Sequence, residues 1–454
     1  MLGLTSQKTF ADEGFHKRNF RRKIFHDYPT GQFPLTGLLS IMETEDTDST
    51  EFGWFEKRFV EPESTLPAAT APITASGTNT PALTSPANLD KGTVYRVKVV
   101  SSADFLERQV LQLNKVPITG GVADIQGIIT SIPSATTVEI RLTASVVGML
   151  NTTNNIDSGT AGPGNAPVVV VGNASAEGAS SGFGRLLPPL KVSNYTQIFR
   201  NAFSFTRSAL KSPTEFDETG IYKEKSKDNM LSHMVEMEKA FIFGNKSQEF
   251  IVEDGEEVAI NTTGGVLYFM KLWEQADSPY RGGSGAVAIT SNANDNKRII
   301  NVDGTMTGKE WNDYLERAFR VTNDKTFEKL FLCGSGFLGV LNEYLENKST
   351  TFRKFAPEST YGMNVVSYET PHGIVHFKSH PLFTRSATLR NSGLLLDVNY
   401  LGYRPLADSD TTLLKNRQGN DQDRRKDEWL TEAGLEMQFP EAHMFFDNVT
   451  GITV

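Results

Sequence analysis

Apolar side chains alternate with polar ones in some stretches of this chain and recur every three to four residues in others. The two periods mark strands and helices. Thr93-Val94-Tyr95-Arg96-Val97-Lys98-Val99 alternates as a half-buried strand does. Residues 109–113, 125–129 and 137–142 continue the theme, with Pro133-Ser134-Ala135-Thr136 as a turn before the last. Short strands at this spacing predict a small β-barrel or sandwich over about 88–150. Phe52-Gly53-Trp54-Phe55-Glu56-Lys57-Arg58-Phe59-Val60 is an aromatic-rich strand, and 195–207 is a second, with Phe203 and Phe205 on one face. The span 52–206 therefore reads as a strand out, an inserted module and a strand back.

Helical periodicity takes over next. Ile221, Leu231, Met234, Val235, Met237, Phe241 and Ile242, with charges between them, predict a helix over 218–243 that stops at Gly244-Asn245. Such a helix is roughly 35–40 Å long at 1.5 Å rise per residue. A second helix is predicted over 265–276. Thr307-Gly308-Lys309-Glu310 has the form of a capping box, and Trp311, Leu315, Ala318 and Phe319 form the buried stripe behind it. Residues 329–333 read as a buried strand and 336–347 as the helix that follows. Strands are predicted at 365–368, 373–378, 394–400 and 429–439, and 416–427 is a charged loop without an apolar residue. Near the start, 35–42 reads as a short helix, followed by an acidic stretch at 43–48.

Between the elements, composition shifts sharply. Residues 61–88 are rich in Pro, Ala, Thr and Ser, with prolines at 62, 67, 72, 81 and 86, which predicts a linker or extended arm. Residues 148–167 are a second flexible flank. No repeat of fixed period is present, which argues against solenoids and propellers.

Composition narrows the classes. The 454 residues leave room for about two to four domains. Hydrophobic residues make up 38% and charged residues 22%, which suits a folded protein. A single cysteine, Cys333, excludes an intramolecular disulfide. No apolar run nears the roughly 20 residues needed to span a bilayer, and residues 1–9 lack an apolar signal core, so neither a membrane span nor a cleaved leader is expected. The net charge of −9 argues against a surface that wraps nucleic acid as a whole. One local exception stands out. His16-Lys17-Arg18-Asn19-Phe20-Arg21-Arg22-Lys23 carries five cationic side chains in eight positions. It reads as an arm whose Arg18, Arg21, Arg22 and Lys23 meet an acidic neighbour or a polyanion, the alternative being a solvated terminus.

The motifs of catalysis are missing. There is no GxxxxGK[ST] loop and no GxGxxG between a strand and a helix. Cys333-Gly334-Ser335-Gly336 fails the GxSxG pattern of a nucleophile elbow, and Cys333 ends an apolar strand, where a buried, inert thiol is expected. His372, His376 and His380, four apart, fall where a strand is predicted, and a polar sheet face is favoured over a metal site. Acidic pairs such as Asp408/Asp410 and Glu256/Glu257 read as polar loops. No catalytic residue, cofactor or metal is predicted.

The order of parts, together with several local runs, carries a resemblance. Pro34-Leu35-Thr36-Gly37-Leu38-Leu39, Glu51-Phe52-Gly53-Trp54-Phe55, Val171-Gly172-Asn173-Ala174-Ser175-Ala176-Glu177-Gly178, Val192-Ser193-Asn194-Tyr195-Thr196-Gln197-Ile198-Phe199-Arg200 and Met234-Val235-Glu236-Met237-Glu238-Lys239-Ala240-Phe241-Ile242-Phe243-Gly244 are similar to one group of coat proteins. The chain resembles major capsid proteins of tailed bacteriophages with the Hong Kong 97 type fold, most closely over 34–244. The resemblance implies an α+β coat fold. Its parts would be an N-terminal arm over 1–50, an extended loop over 51–211 carrying the β-module, and a peripheral domain over 212–332 with a spine helix at 218–244. An axial domain over 333–424 and a return to the peripheral domain over 425–454 complete it.

The resemblance further implies hexamers and pentamers of an icosahedral or prolate head around double-stranded DNA. Its partners would be further copies of itself, scaffolding, portal and decoration proteins, and DNA held without sequence specificity, with no membrane. The chain would reside in the virion capsid after assembly in host cytoplasm, without catalysis or cofactor. Phe52, Trp54, Phe55, Phe59, Tyr195, Phe199, Phe203 and Phe205 are then expected to contact neighbouring subunits, because a lone two-stranded ribbon cannot cover them. The alternative is a surface or tail adhesin that binds receptor or glycan through 88–150.

Overall fold

The computed structural model describes residues 35, 44–57, 63–66, 73–75, 89–147 except 103, 104, 119 and 120, 167–178, 189–211, 221–275 except 254, 280, 297–320, 327–348, 357–360 and 363–453. The basic arm with Arg18, Arg21, Arg22 and Lys23, Phe59, nearly all of the helix expected at 35–42, and most of the two flexible flanks lie outside the described residues. The chain divides into two compact units. One comprises Met1–Trp54, Ser193–Leu272 and Arg298–Val454, the other Phe55–Val192 and Trp273–Lys297.

The chain runs out on β1 (Glu51–Glu56) and returns on β9 (Leu190–Tyr195), and these two strands pair. Between them lie β2 (Glu63–Thr65), β3 (Ile73–Ala75), β4 (Val94–Lys98), β5 (Gln109–Ile118), β6 (Gly121–Ser134), β7 (Thr137–Leu142) and β8 (Pro167–Asn173). They form one antiparallel sheet in the order β2-β8-β5-β6-β7-β4-β3. The alternation read from the sequence is the burial pattern observed. Tyr95 and Val97 point into a core with Leu111, Leu113, Ile125, Ile129, Val138 and Ile140. On the other face Arg96 lies opposite Glu139 in the register and bridges it at 2.8 Å.

The module is larger than the expected 88–150. Its outer strands β2 and β3 come from the Pro/Thr-rich stretch, and β8 from beyond the second flank. Leu66 and Leu89 are fully buried in this core. The linker reading is thus corrected at 63–66 and 73–75. Short strands with nearby prolines are tolerated at sheet edges, where one side of the backbone needs no partner.

The larger unit opens on β10 (Gln197–Thr206), a short helix (Arg207–Lys211) and a long helix (Ile221–Phe243). A hairpin of β11 (Ser247–Glu253) and β12 (Glu256–Thr262) follows, then a helix at Val266–Glu274. Next come β13 (Ile299–Thr307), a helix at Gly308–Phe319, β14 (Glu328–Cys333) and a helix at Ser335–Lys348. β15 (Pro357–Thr360), β16 (Met363–Thr370), β17 (Gly373–Ser379), a helix at Pro381–Arg385 and β18 (Gly393–Leu396) complete the middle. The chain ends with β19 (Leu401–Pro405), β20 (Thr412–Leu414), β21 (Arg424–Met437) and β22 (Met444–Thr453).

Two sheets organise this unit. In the first, β21 pairs with β10 on one side and with β19 and β20 on the other. In the second the order is β13-β22-β18-β14-β17-β16-β15. The capping box is present as read: Thr307 Oγ1 accepts the Glu310 N–H at 3.2 Å, and the Glu310 carboxylate accepts the Thr307 N–H at 2.8 Å. Trp311, Leu315, Ala318 and Phe319 are all buried. Trp311 packs on Phe446 at 5.3 Å between ring centres, and Phe331 on Phe337 at 5.1 Å, so one aromatic cluster joins two helices to the sheet.

Two expectations are corrected. The returning strand β10 is not paired with the outgoing strand; it pairs with β21, from Gln197↔Ala433 to Thr206↔Arg424. The segment 394–400 is strand only to Leu396, because Asp397 caps a single 3-10 turn by accepting the Asn399 N–H at 3.2 Å. The terminal segment 425–454 contributes to both sheets. β21 lies in the first and β22 in the second, and the second sheet also draws β13 and β14 from before residue 333.

Candidate functional site: assembly surfaces

The chemistry-bearing residues turn out to be structural. Cys333 is fully buried, and burial pushes its thiol up to about 12. The glycines around it serve close packing: a Cβ at Gly334 would strike the Arg390 carbonyl, and one at Gly336 the Asn391 side chain. The three histidines do not share a sheet face. His372 sits in the turn before β17, His376 is buried within it, and His380 lies beyond its end as the cap of the next helix. His376 Nδ1 lies 2.9 Å from Ser367 Oγ, and its Nε2 lies 3.5 Å from the Glu328 carboxylate. His380 Nδ1 accepts the Leu382 N–H, which leaves the proton on Nε2 to donate to Glu238 at 2.9 Å. No group of three or more His, Cys, Asp or Glu suited to a metal occurs among the described residues. No helix among them is long and apolar enough to cross a membrane.

The aromatic set expected to need a neighbouring subunit is divided by the fold. Phe52, Trp54 and Phe199 are buried within their own chain, which corrects the reason for expecting them bare. Gly434 of β21 leaves the space that the Phe52 ring occupies. Trp54 meets the edge of Phe269 at 5.6 Å, and Phe199 meets Phe241 of the long helix at 6.2 Å. Phe203 and Phe205 are half-buried against Tyr222. Tyr195 is half-buried, with Lys246 Nζ 4.7 Å from its ring centre. Phe55 alone of the described set is largely exposed, at 71%.

The helix–sheet joint beneath these rings is polar at its centre. His233 is fully buried, with Nδ1 2.6 Å from Asn201 Oδ1 of β10 and Nε2 2.8 Å from Thr431 Oγ1 of β21. Burial holds its pKa below the ordinary value. Before β1, Thr47 donates its N–H to the Pro405 carbonyl at 2.9 Å, and Arg404 bridges Glu45 and Glu436, each at 2.5 Å. This segment is thereby clipped to the edge of the first sheet.

One exposed apolar surface lies outside the residues expected to make contacts. Phe250, Ile251, Val252, Val258 and Ile260 all lie open on the β11–β12 hairpin. Glu256 and Glu257 open β12 rather than sitting in a loop, which corrects that expectation. The signal is in the sequence: Phe250-Ile251-Val252 and Val258-Ala259-Ile260 flank an Asp-Gly dipeptide, a common hairpin signal, and Gly255 takes φ 87°.

Comparison with known proteins follows the same line. The family model of the SU10 major capsid protein matches residues 5–450. A curated relative, the major capsid protein of Pseudomonas phage PaMx41, is 22% identical over 397 residues, covering 86% of this chain and 79% of the relative. Among solved structures, Mycobacterium phage Bobi aligns with 97% of this chain and 98% of its own at 7% identity and a TM-score of 0.42. The capsid asymmetric unit of Cyanophage A-1(L) aligns with 62% of this chain and 85% of its own at 12% identity and a TM-score of 0.38. With the family model matched over nearly its whole length, the chain belongs to the SU10 major capsid protein family.

Proposed function

We propose that this chain is the building block of a phage head of the Hong Kong 97 type, forming hexamers and pentamers that close around double-stranded DNA. The observation that carries the reading is the family match over residues 5–450. The fold supports it: a long helix on one sheet, a second sheet with its own aromatic core, and a module inserted between β1 and β9. In this reading the long helix is the spine, the β10–β21 sheet belongs to the peripheral domain, and the seven-stranded sheet with β13 and β22 forms the axial domain. The β1–β9 pair begins the extended loop, and Phe55 is its exposed aromatic contact.

The remaining assignments are part of the same reading. Arg18, Arg21, Arg22 and Lys23 meet an acidic neighbour or the genome, and scaffolding, portal and decoration proteins complete the particle. Assembly takes place in host cytoplasm, and the subunit does its work by packing, without turnover. The test is to purify the full chain, with and without a scaffold, and to follow it by sedimentation and electron microscopy. Hexamers, pentamers or shells are expected. A compact monomer under every assembly condition overturns the reading.

A further inference from the structure

The β11–β12 hairpin is a blade with a fixed root. At the root, Asn194 Nδ2 donates to Thr263 Oγ1, the Gly264 carbonyl and the Leu435 carbonyl at 3.1, 3.0 and 2.7 Å, and its Oδ1 accepts the Gly264 N–H at 2.8 Å. Lys246 Nζ donates to the Ser193 carbonyl at 3.0 Å. Beyond the root, every described residue from Gln248 to Ile260 is exposed.

The register sorts the apolar side chains onto both faces. Phe250 lies opposite Ala259 and beside Val252 on one face; Ile251 lies opposite Val258 and beside Ile260 on the other. Phe250 is 60% and Val252 75% exposed. A two-stranded ribbon with no packed face is marginal in water. Among the described residues this one also pairs with no other strand, so its outer edges are open to a partner.

Charge selects the partner. Residues 247–262 contain five acidic side chains, Glu249, Glu253, Asp254, Glu256 and Glu257, and no lysine or arginine. The opposite character is found at the far end of the long helix, whose C-terminus leads into the hairpin. Its first turns carry Lys223, Lys225 and Lys227, all exposed, with Glu224 and Asp228 among them. Lys225 reaches Asp228 only at 3.8 Å. The start of β21 adds Arg424 beside this end, where Tyr222 accepts from Arg425 at 3.1 Å. Exposed apolar side chains also occur at Met230, further along this helix, at 38%, and at Leu210 of the short helix before it, at 37%. The helix has 23 residues, about 35 Å of rise, which separates the root of the blade from the lysines of its own chain. A second copy can bring them together.

We propose that the β11–β12 hairpin of one subunit docks on the lysine-rich start of the long helix of the next. The contact joins two different surfaces and is therefore head-to-tail, the kind that builds rings. One face of the blade, with Phe250, Val252 and Glu257, lies on the helix start, where Glu257 meets Lys225. This inference rests on the shell-forming reading above.

The test uses the full chain carrying both Val252→Cys and Lys225→Cys. Both positions are outside the core, and the native Cys333 is buried and takes no part. Assembled particles, mildly oxidised, are expected to give a ladder of covalent multimers on a reducing-agent-free gel, and either single variant none beyond a dimer. Charge reversal by Glu256→Lys with Glu257→Lys is expected to lower assembly about tenfold, and adding Lys223→Glu with Lys225→Glu to restore most of it. Particles that form without the ladder overturn the docking and leave the capsid reading standing. Loss without rescue by the lysine reversal also overturns this pairing. Absence of particles from the unmodified chain in every condition overturns both.

Discussion

Glu238, deep in the long helix, accepts the Nε2 proton of His380 at 2.9 Å and the backbone N–H of Leu35 at 2.9 Å. Both side chains are fully buried. One carboxylate thus ties the long helix to the cap of the Pro381–Arg385 helix and to the segment that precedes β1. Removing it strands two buried donors. Glu238→Ala is expected to destabilise the unassembled subunit by roughly 3–5 kcal/mol, and Glu238→Gln by clearly less, because the amide oxygen still accepts. Denaturant unfolding followed by tryptophan fluorescence checks both; equal losses would show that volume, not hydrogen bonding, is what the site needs.

Lys329 and Asp397 form a second buried link, 3.1 Å apart with both side chains fully inaccessible. Lys329 also donates to the Ala442 carbonyl at 2.9 Å. Burial holds the Lys329 pKa below its ordinary value, while Asp397 acts against that shift. Lys329→Met leaves a buried carboxylate without its cation and is expected to cost roughly 3–5 kcal/mol. Adding Asp397→Asn, which keeps the cap on Asn399, is expected to recover a large part. A double-mutant cycle in urea measures the coupling, and additive losses would contradict it.

His443 sets an acid limit. It is fully buried, its Nδ1 accepts the Asp397 N–H at 3.1 Å, and burial, with Lys329 nearby, pushes its pKa down to about 3. The folded value lies below the unfolded one, so the unfolded chain takes up the proton first. The contribution is complete above about pH 6.5 and is lost as pH falls toward 3, by of order 4–5 kcal/mol. Unfolding free energies between pH 7 and 4 are expected to fall steadily, and a His443→Gln subunit to show a flatter profile. Parallel profiles would remove His443 as a source of the slope.

Gly434 keeps β21 bare where the Phe52 ring rests on it, and an added Cβ would overlap that ring. Gly434→Ala is expected to cost roughly 1–3 kcal/mol by overpacking and to displace β1. Protease cleavage near 50–57 should rise in the variant while the melting of the inserted module stays unchanged. Unaltered cleavage would mean that Phe52 shifts without loosening β1.

Local interactions made much of this fold readable from the chain. The cap at Thr307 and Glu310 lies within four residues, and the Trp311, Leu315, Ala318, Phe319 stripe within one helix, so period and capping chemistry were sufficient for both. The alternation of Tyr95 and Val97 foretold their burial for the same reason. The inserted module was found, though its edge strands β2 and β3 were not, since three residues carry little pattern. Phe250, Ile251 and Val252 carry a weak strand signal, because acidic residues surround them and the hairpin's strands face no core.

What an apolar pattern shows is that a side chain must be covered; it does not name the cover. Phe52 and Phe199 read as side chains that need cover, and the folded chain buries both: Phe52 against Gly434 of β21, more than three hundred residues away in sequence, and Phe199 against Phe241 of the long helix. His376 and His380, four apart, were separated by the end of β17, so one entered a sheet and the other capped a helix. Helix, strand and cap arise from near neighbours and were legible residue by residue. Strand partners, buried ion pairs and the bareness of β11–β12 depend on which distant segments fill the same space, and only the folded chain decides that.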